Sequence, residues 1–360
     1  MKKLFAVILQ TLITVCPTIA QQQIANKTGQ LKIKADSITF ISQPSGLQIA
    51  GTISYPSFNK KYPAIILIAG SGPHTRQEMI SNTPVFDEVA AYFNQSGYAV
   101  MRIDKRGHGL SQGPKSEDET TSAQLSEDIY HALQFLKKHK NVDRTNIGLI
   151  GHSEGAWIAE MVALRDTSVK WMALMGAHIV NGGLVQEDQM ATNMLGRGTS
   201  KEIVEKVRLQ IKRLFEFIVN DNKNDSLFFD IGKDFLLAHG MKEENITNKF
   251  INQLLDGFRL PWSRYFFSEA PLELIKQLKI PVLFIYGNKD NLVSPVLNIL
   301  PLIDIMKSAD SNSITLTILP DEDHFFLHYK GRSLEKHKPG EMHVSKNLLR
   351  NISNWLKSGW

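Results

Sequence analysis

The stretch Ile147-Gly148-Leu149-Ile150-Gly151-His152-Ser153-Glu154-Gly155-Ala156-Trp157 constrains the fold more than any other part of the chain. Its first four residues form an apolar run of strand length. Gly151-His152-Ser153-Glu154-Gly155 then fits G-x-S-x-G, and residues 156–164 are good helix formers with an apolar face. Buried strand, tight turn and helix, in that order, are the setting of a nucleophile elbow, where a strained turn lifts a serine Oγ above a sheet. Gly151 and Gly155 read as positions of close approach, where a Cβ would crowd the strand or helix passing by.

Around this stretch, apolar runs alternate with helical patterns. Residues 38–42 and 47–55 read as two strands joined through Gln43-Pro44-Ser45-Gly46, a good hairpin connection. Residues 64–69 form a continuous apolar run, as buried parallel strands do. Further strands are expected over 97–104, 169–175, 280–286 and 314–319. Helices are expected over 84–94, 122–139, 272–278, 295–307 and 344–357. Such alternation means right-handed crossovers and a mostly parallel α/β sheet with helices on both faces. The alternation stops at Gly176. From 182 to 270 the pattern is helical (201–219, 226–239, 246–258) and rich in Leu, Phe and Met, which predicts an inserted helical cap. The expected organisation is a leader over 1–20, a first core segment over 21–181, the cap over 182–270 and a second core segment over 271–360.

The leader reads as a secretory signal. Lys2 and Lys3 precede an apolar stretch over 4–15, shorter than the roughly 20 residues of a spanning helix, and Thr18-Ile19-Ala20 is a tolerable cleavage site. Cys16, the one cysteine, lies inside this segment. A lipid anchor at Cys16 is the alternative, against which Val15 is larger than the residue such sites usually carry. The mature chain then has no disulfide and no cysteine nucleophile. These features predict a periplasmic or secreted protein without stable membrane insertion after cleavage. The formal charge of +5 includes both leader lysines and comes with no basic block, so nothing points to nucleic acid.

A serine hydroxyl needs a base to take its proton and an acid to hold that base in the right tautomer. In a doubly wound sheet both must lie at the C-terminal ends of strands. The strand over 280–286 ends in Gly287-Asn288-Lys289-Asp290, which makes Asp290 the acid. The strand over 314–319 is followed by Pro320-Asp321-Glu322-Asp323-His324, which makes His324 the base. Asp321 and Asp323 are poorer acids, since they share the histidine's loop, although either could orient the ring. The negative charge that develops on a carbonyl oxygen calls for two backbone N–H groups. The amide of Glu154 is one; Ser71, in the loop after 64–69, supplies the other, with Gly72 as the alternative. Gly70-Ser71-Gly72 lacks the Lys-Ser/Thr pair of a phosphate loop. His328 lacks the H-E-x-x-H pattern and third ligand of a metal site, so neither metal nor cofactor is expected.

With these residues in view, the chain resembles the α/β-hydrolase superfamily, and within it bacterial serine esterases. The carriers are the Gly70-Ser71-Gly72-Pro73 loop, the Gly151-His152-Ser153-Glu154-Gly155 elbow and Asp104-Lys105-Arg106-Gly107-His108-Gly109-Leu110-Ser111. The resemblance spans about 38–177 and 271–360. It implies the fold and the serine triad; the apolar insert adds the expectation of small or medium apolar carboxylic esters, cleaved through an acyl-enzyme. Aminopeptidases and acyl thioesterases share the same motifs, and a non-catalytic binder on this scaffold is the rival of another class. Many relatives carry an acidic residue directly after the Gly-Ser-Gly-Pro turn. Here His74-Thr75-Arg76 stands there, and the first carboxylate is Glu78. Arg106 is expected to serve its own loop rather than a substrate.

Overall fold

The structure, a computed structural model, describes residues 31–57, 60–220, 224–308, 313–329 and 340–359. The signal-peptide reading and the Cys16 alternative lie outside the described residues.

The chain opens with β1 (Ile33–Ser42) and β2 (Leu47–Pro56), an antiparallel pair in which Ser42 faces Leu47 across the expected turn. There follow β3 (Tyr62–Ile68), a short hairpin of β4 (Met79–Ile80) and β5 (Thr83–Pro84), α1 (Val85–Gln95) and β6 (Ala99–Ile103). α2 (Ser122–Leu136) starts in a reciprocal cap, Thr121 taking the Gln124 amide while the Gln124 side chain takes that of Thr121. Next come β7 (Val142–His152), α3 (Glu154–Arg165) and β8 (Val169–Met175). β8 is followed by α4 (Gly182–Gly196), α5 (Lys201–Val219), α6 (Asp225–Ala238), α7 (Asn248–Phe258) and α8 (Pro261–Ser268). The chain closes through α9 (Leu272–Ile275), β9 (Val282–Gly287), α10 (Pro295–Ser308), β10 (Ile314–Leu319), β11 (Leu327–Tyr329), β12 (Met342–Val344) and α11 (Lys346–Ser358).

Eight strands form the main sheet in the order β1-β2-β6-β3-β7-β8-β9-β10, parallel from β6 to β10 and antiparallel only where β1 and β2 join. Alternate side chains of a strand point to opposite faces. On β3, Ala64, Ile66 and Ile68 pack with α2, α3 and α10, while Ile65 and Leu67 pack with α1 and α11. Both faces are covered, which is why this strand is an unbroken apolar run. A third cluster unites α5, α6, α7 and α8 around Phe217, Phe228, Phe266 and Phe267. It includes Trp157 of α3, so the inserted helices rest on the helix that follows the elbow. Two of those helices, α4 and α8, and the two small hairpins are additions to the expected set.

Candidate active site

The sharpest local feature is Ser153. It stands between β7 and α3 with φ 54° and ψ −122°, a strained conformation for a residue with a Cβ. The flanking glycines make that turn possible. A Cβ on Gly151 would lie 2.4 Å from the Gly155 carbonyl oxygen, and one on Gly155 would lie 2.1 Å from that of Ile68. The helix therefore starts in contact with the ends of β7 and β3. The loop after β3 comes equally close: a Cβ on Gly70 would meet the Ser153 Cβ at 3.1 Å.

Asp290 and His324 meet at the ends of β9 and β10, both buried. His324 Nδ1 donates to Asp290 Oδ2 at 2.7 Å. The other carboxylate oxygen accepts the amides of Leu292 and Val293 at 2.9 and 2.8 Å, which fixes its plane. With Nδ1 occupied as a donor, Nε2 of a neutral imidazole is the acceptor. Gly176, at the end of β8, lets this pair close in, since a Cβ there would stand 3.0 Å from the His324 ring. Of the neighbouring acids, Asp321 pairs with Lys289 at 2.7 Å and Asp323 accepts the amide of Phe325. The described bonds to the His324 ring come from Asp290 alone. Glu322 ties the loop down through His328, Ser345 and, by its backbone, Lys289.

The Glu154 amide is at the first position of α3, where helix geometry leaves N–H groups without intrahelical partners. Ser71 follows Gly70, whose carbonyl accepts Lys105 Nζ at 2.9 Å; the Ser71 carbonyl accepts from His74 Nε2. The Glu154 side chain turns inward and is fully buried. It accepts from Ser122 Oγ at 2.6 Å, Trp262 Nε1 at 2.8 Å and Lys105 Nζ at 3.4 Å. Burial opposes its ionisation, but Lys105 and these donors outweigh it and hold the carboxyl below its ordinary range. Trp262 belongs to α8, so one indole N–H links the inserted helices to the residue after Ser153.

Glu78, the first carboxylate after the Gly-Ser-Gly-Pro turn, reaches back beneath that turn. It is buried and accepts the Gly70 amide at 2.9 Å and His152 Nδ1 at 3.0 Å. Asp104 accepts Arg76 through its backbone amide, Nε and Nη2, while Arg76 Nη1 donates to Gly51 and Thr52. The loop is thereby tied to β2 and β6. Arg106 is spent on Asp128 and the Gln124 carbonyl, in keeping with a structural role. Sequence reasoning did not find Lys105, His152 or Trp262. The signal for Glu78 was the missing acid after the turn.

His178, just past β8, is buried edge-on against Trp157 and Phe266, and burial lowers its pKa to about 4. It is therefore neutral at physiological pH. A cleft of about 510 Å³ opens among α4, α5 and α8, lined by Leu184, Phe215, Val219 and Phe267 with Lys212 and Glu216. Among the described residues, no group of three or more His, Cys, Asp or Glu is placed to hold a metal ion, and no helix is long and apolar enough to cross a membrane.

The family model described as serine aminopeptidase, S33, matches residues 79–328. The esterase EstD of Thermotoga maritima is 23% identical over 311 residues, covering 86% of this chain; the chain spans 65% of that relative's length. Among solved structures, an esterase of Pyrococcus furiosus superposes with a TM-score of 0.54 at 15% identity, covering 91% of both chains. Dipeptidyl peptidase 4 of Porphyromonas gingivalis superposes with a TM-score of 0.52 at 16% identity, covering 90% of this chain and 35% of that one. At these identities the likeness to solved structures is one of fold.

Proposed function

The chain belongs to the serine aminopeptidase S33 family, and we propose that it is an exported serine hydrolase that cleaves small or medium apolar carboxylic esters. The observation that carries this reading is the strained Ser153 turn at the same sheet edge as the buried His324–Asp290 pair. Ser153 Oγ attacks the ester carbonyl while His324 Nε2 takes its proton. Asp290 holds the ring in the required tautomer and stabilises the imidazolium that forms. The amides of Glu154 and Ser71 meet the oxyanion. His324 then gives the proton to the departing alcohol, which leaves Ser153 acylated. A water molecule, deprotonated by His324, attacks the acyl-enzyme. Collapse of this second tetrahedral intermediate frees the acid and returns the proton to Ser153.

Residues 182–270 act in this reading as a cap over the site. The support is the Trp262–Glu154 bond and the stacking of Trp157 on Tyr265 with ring centroids 5.1 Å apart. An apolar acyl or alcohol group binds beneath the cap, each buried methylene contributing about 0.8 kcal/mol. Export rests on the basic and apolar order of residues 1–20, and a mature N-terminus at Gln21 on protein recovered outside the cytoplasm would test it.

The family description favours a second reading, an aminopeptidase. It requires a carboxylate for the substrate's ammonium group, and Glu216 on the cleft wall has the right charge. A hydrolysis screen over p-nitrophenyl esters of graded chain length, acyl thioesters and aminoacyl anilides separates the readings. The ester reading expects the highest kcat/KM on medium-chain esters; a clear preference for aminoacyl anilides would replace it.

A further inference from the structure

His152 is held at both ring nitrogens by acceptors. Nε2 faces the carbonyl oxygen of His324 at 3.0 Å, and Nδ1 faces Glu78 Oε1, also at 3.0 Å. A carbonyl oxygen accepts only, so Nε2 carries a proton. A neutral imidazole has a single N–H, which would leave the Nδ1 lone pair against Glu78. The same Glu78 oxygen already accepts the Gly70 amide, as a carboxylate does. Glu78 is fully buried, and its backbone is held at φ 46°, in the left-handed region that disfavours residues with a Cβ. Its bonds join three segments. Gly70 opens the loop that carries Ser71, His152 precedes Ser153, and the His324 carbonyl belongs to the residue that faces Asp290.

Resting on the serine-hydrolase reading above, we propose that Glu78 and His152 are a buried carboxylate–imidazolium pair that positions the oxyanion loop, the nucleophile turn and the histidine loop against one another. Both are positioning residues, acting on the reaction through Gly70, Ser153 and His324. The titratable groups facing His152 are Glu78, Asp290, His74 and the His324 ring, whose centroid is 4.9 Å away; Phe325 closes the remaining side, and Lys105 stands beyond the loop at the Gly70 carbonyl. Burial disfavours the charged ring, but the Glu78 carboxylate and the His324 carbonyl outweigh it and raise the pKa above its ordinary value. The link is therefore complete below the ordinary imidazole value and is lost as pH rises through the raised one. Deprotonation puts a lone pair against the carboxylate and loosens the loop.

The kinetic test is Glu78→Gln, which keeps an acceptor for Gly70 and removes the charge, beside His152→Gln, which keeps a donor for the His324 carbonyl and removes the titration. Displacing a catalytic loop by about 1 Å costs up to roughly 100-fold, so we expect kcat to fall about 10- to 100-fold with KM within about twofold. The alkaline fall of kcat should move to lower pH in Glu78→Gln and vanish in His152→Gln. Unchanged kcat and an unchanged profile in both would overturn the proposal. A readout independent of turnover, and of whether either variant folds, is ¹⁵N-histidine NMR of the wild type and of Ser153→Ala. At about pH 6.5, the free histidine value, His152 should carry both ring protons in most molecules of each protein. A neutral His152 ring in both would overturn the ion pair. Failure of a fluorophosphonate to label Ser153 would instead sink the hydrolase reading and leave the NMR result standing.

Discussion

The sheet edge and the helices above it are held together by different forces. At the edge, charged groups are buried and each has assigned partners: Glu154 with Lys105, Ser122 and Trp262; Asp104 with Arg76; Arg106 with Asp128; Asp290 with His324. Breaking one such pair leaves a charge without water, which costs about 3–5 kcal/mol. The inserted helices instead share an apolar core of phenylalanine, isoleucine and leucine, and several of their ion pairs are exposed. In Lys206–Glu202 the side chains are 64% and 79% exposed, which leaves the pair worth about 0–1 kcal/mol. Leu209, on α5, is 58% exposed. The edge thus tolerates few substitutions, whereas a phenylalanine-rich layer can be repacked at modest cost. In the proposed reading, chemistry at the edge and selectivity in the helices are therefore separated in space.

The largest effect is expected at the edge. Asp290→Asn keeps the shape but lets the His324 ring adopt the wrong tautomer, so kcat should fall by roughly 10³- to 10⁴-fold while folding is retained. Steady-state kinetics on a p-nitrophenyl ester reads this out, and a fall of less than about tenfold would remove Asp290 from the mechanism.

Gly155→Ala comes next. Its Cβ would stand 2.1 Å from a backbone oxygen of β3, which cannot move without disturbing the sheet. Overpacking of this kind costs about 1–3 kcal/mol or more, so urea unfolding should show a lower midpoint. An unchanged midpoint would mean that the elbow is looser than its geometry.

Glu160, on α3, is fully buried, and neither carboxylate oxygen has a partner in the structure. Burial pushes its pKa well above the ordinary value. The folded state therefore holds the proton more tightly than the unfolded state does. The corresponding stability is complete below the unfolded value and is lost as pH rises towards the folded one. Glu160→Met removes the penalty and should stabilise by about 1–3 kcal/mol, more at about pH 8 than at about pH 5. A loss of stability at both pH values would show that Glu160 has a partner.

The smallest effect belongs to the helices. Phe215→Ala and Phe267→Ala enlarge the cleft, and each should change the ratio of kcat/KM between long-chain and short-chain esters by about 3- to 10-fold, as one or two methylene contacts would. Turnover of the shortest ester should hold within about twofold if the cap sets selectivity alone. Unaltered chain-length preference in both variants would make the cap purely structural.

The elbow was legible because its reasons are local. Two glycines at fixed spacing, an apolar run and helix formers are all within residues 147–164. The sheet was legible because period-2 burial on two covered faces leaves continuous apolar runs. What stayed hidden depends on tertiary contact. Glu78 and His152 are 74 positions apart and meet only because β3 lies beside β7. Trp262 reaches Glu154 across 108 positions. The helix α8, eight residues long with proline at its first position, gives too short a period to read, and α4 begins on Gly182-Gly183, a poor helix start.

The whole mechanism stands on Ser153 as the nucleophile. The most direct measurement is covalent labelling with a fluorophosphonate, read by intact mass and peptide mapping, on the wild type and on Ser153→Ala. One adduct per wild-type chain is expected, on the peptide containing Ser153, and none on a Ser153→Ala protein with the same circular dichroism and melting temperature. Labelling of the folded variant at the wild-type rate, or a wild-type adduct on another residue, would contradict it.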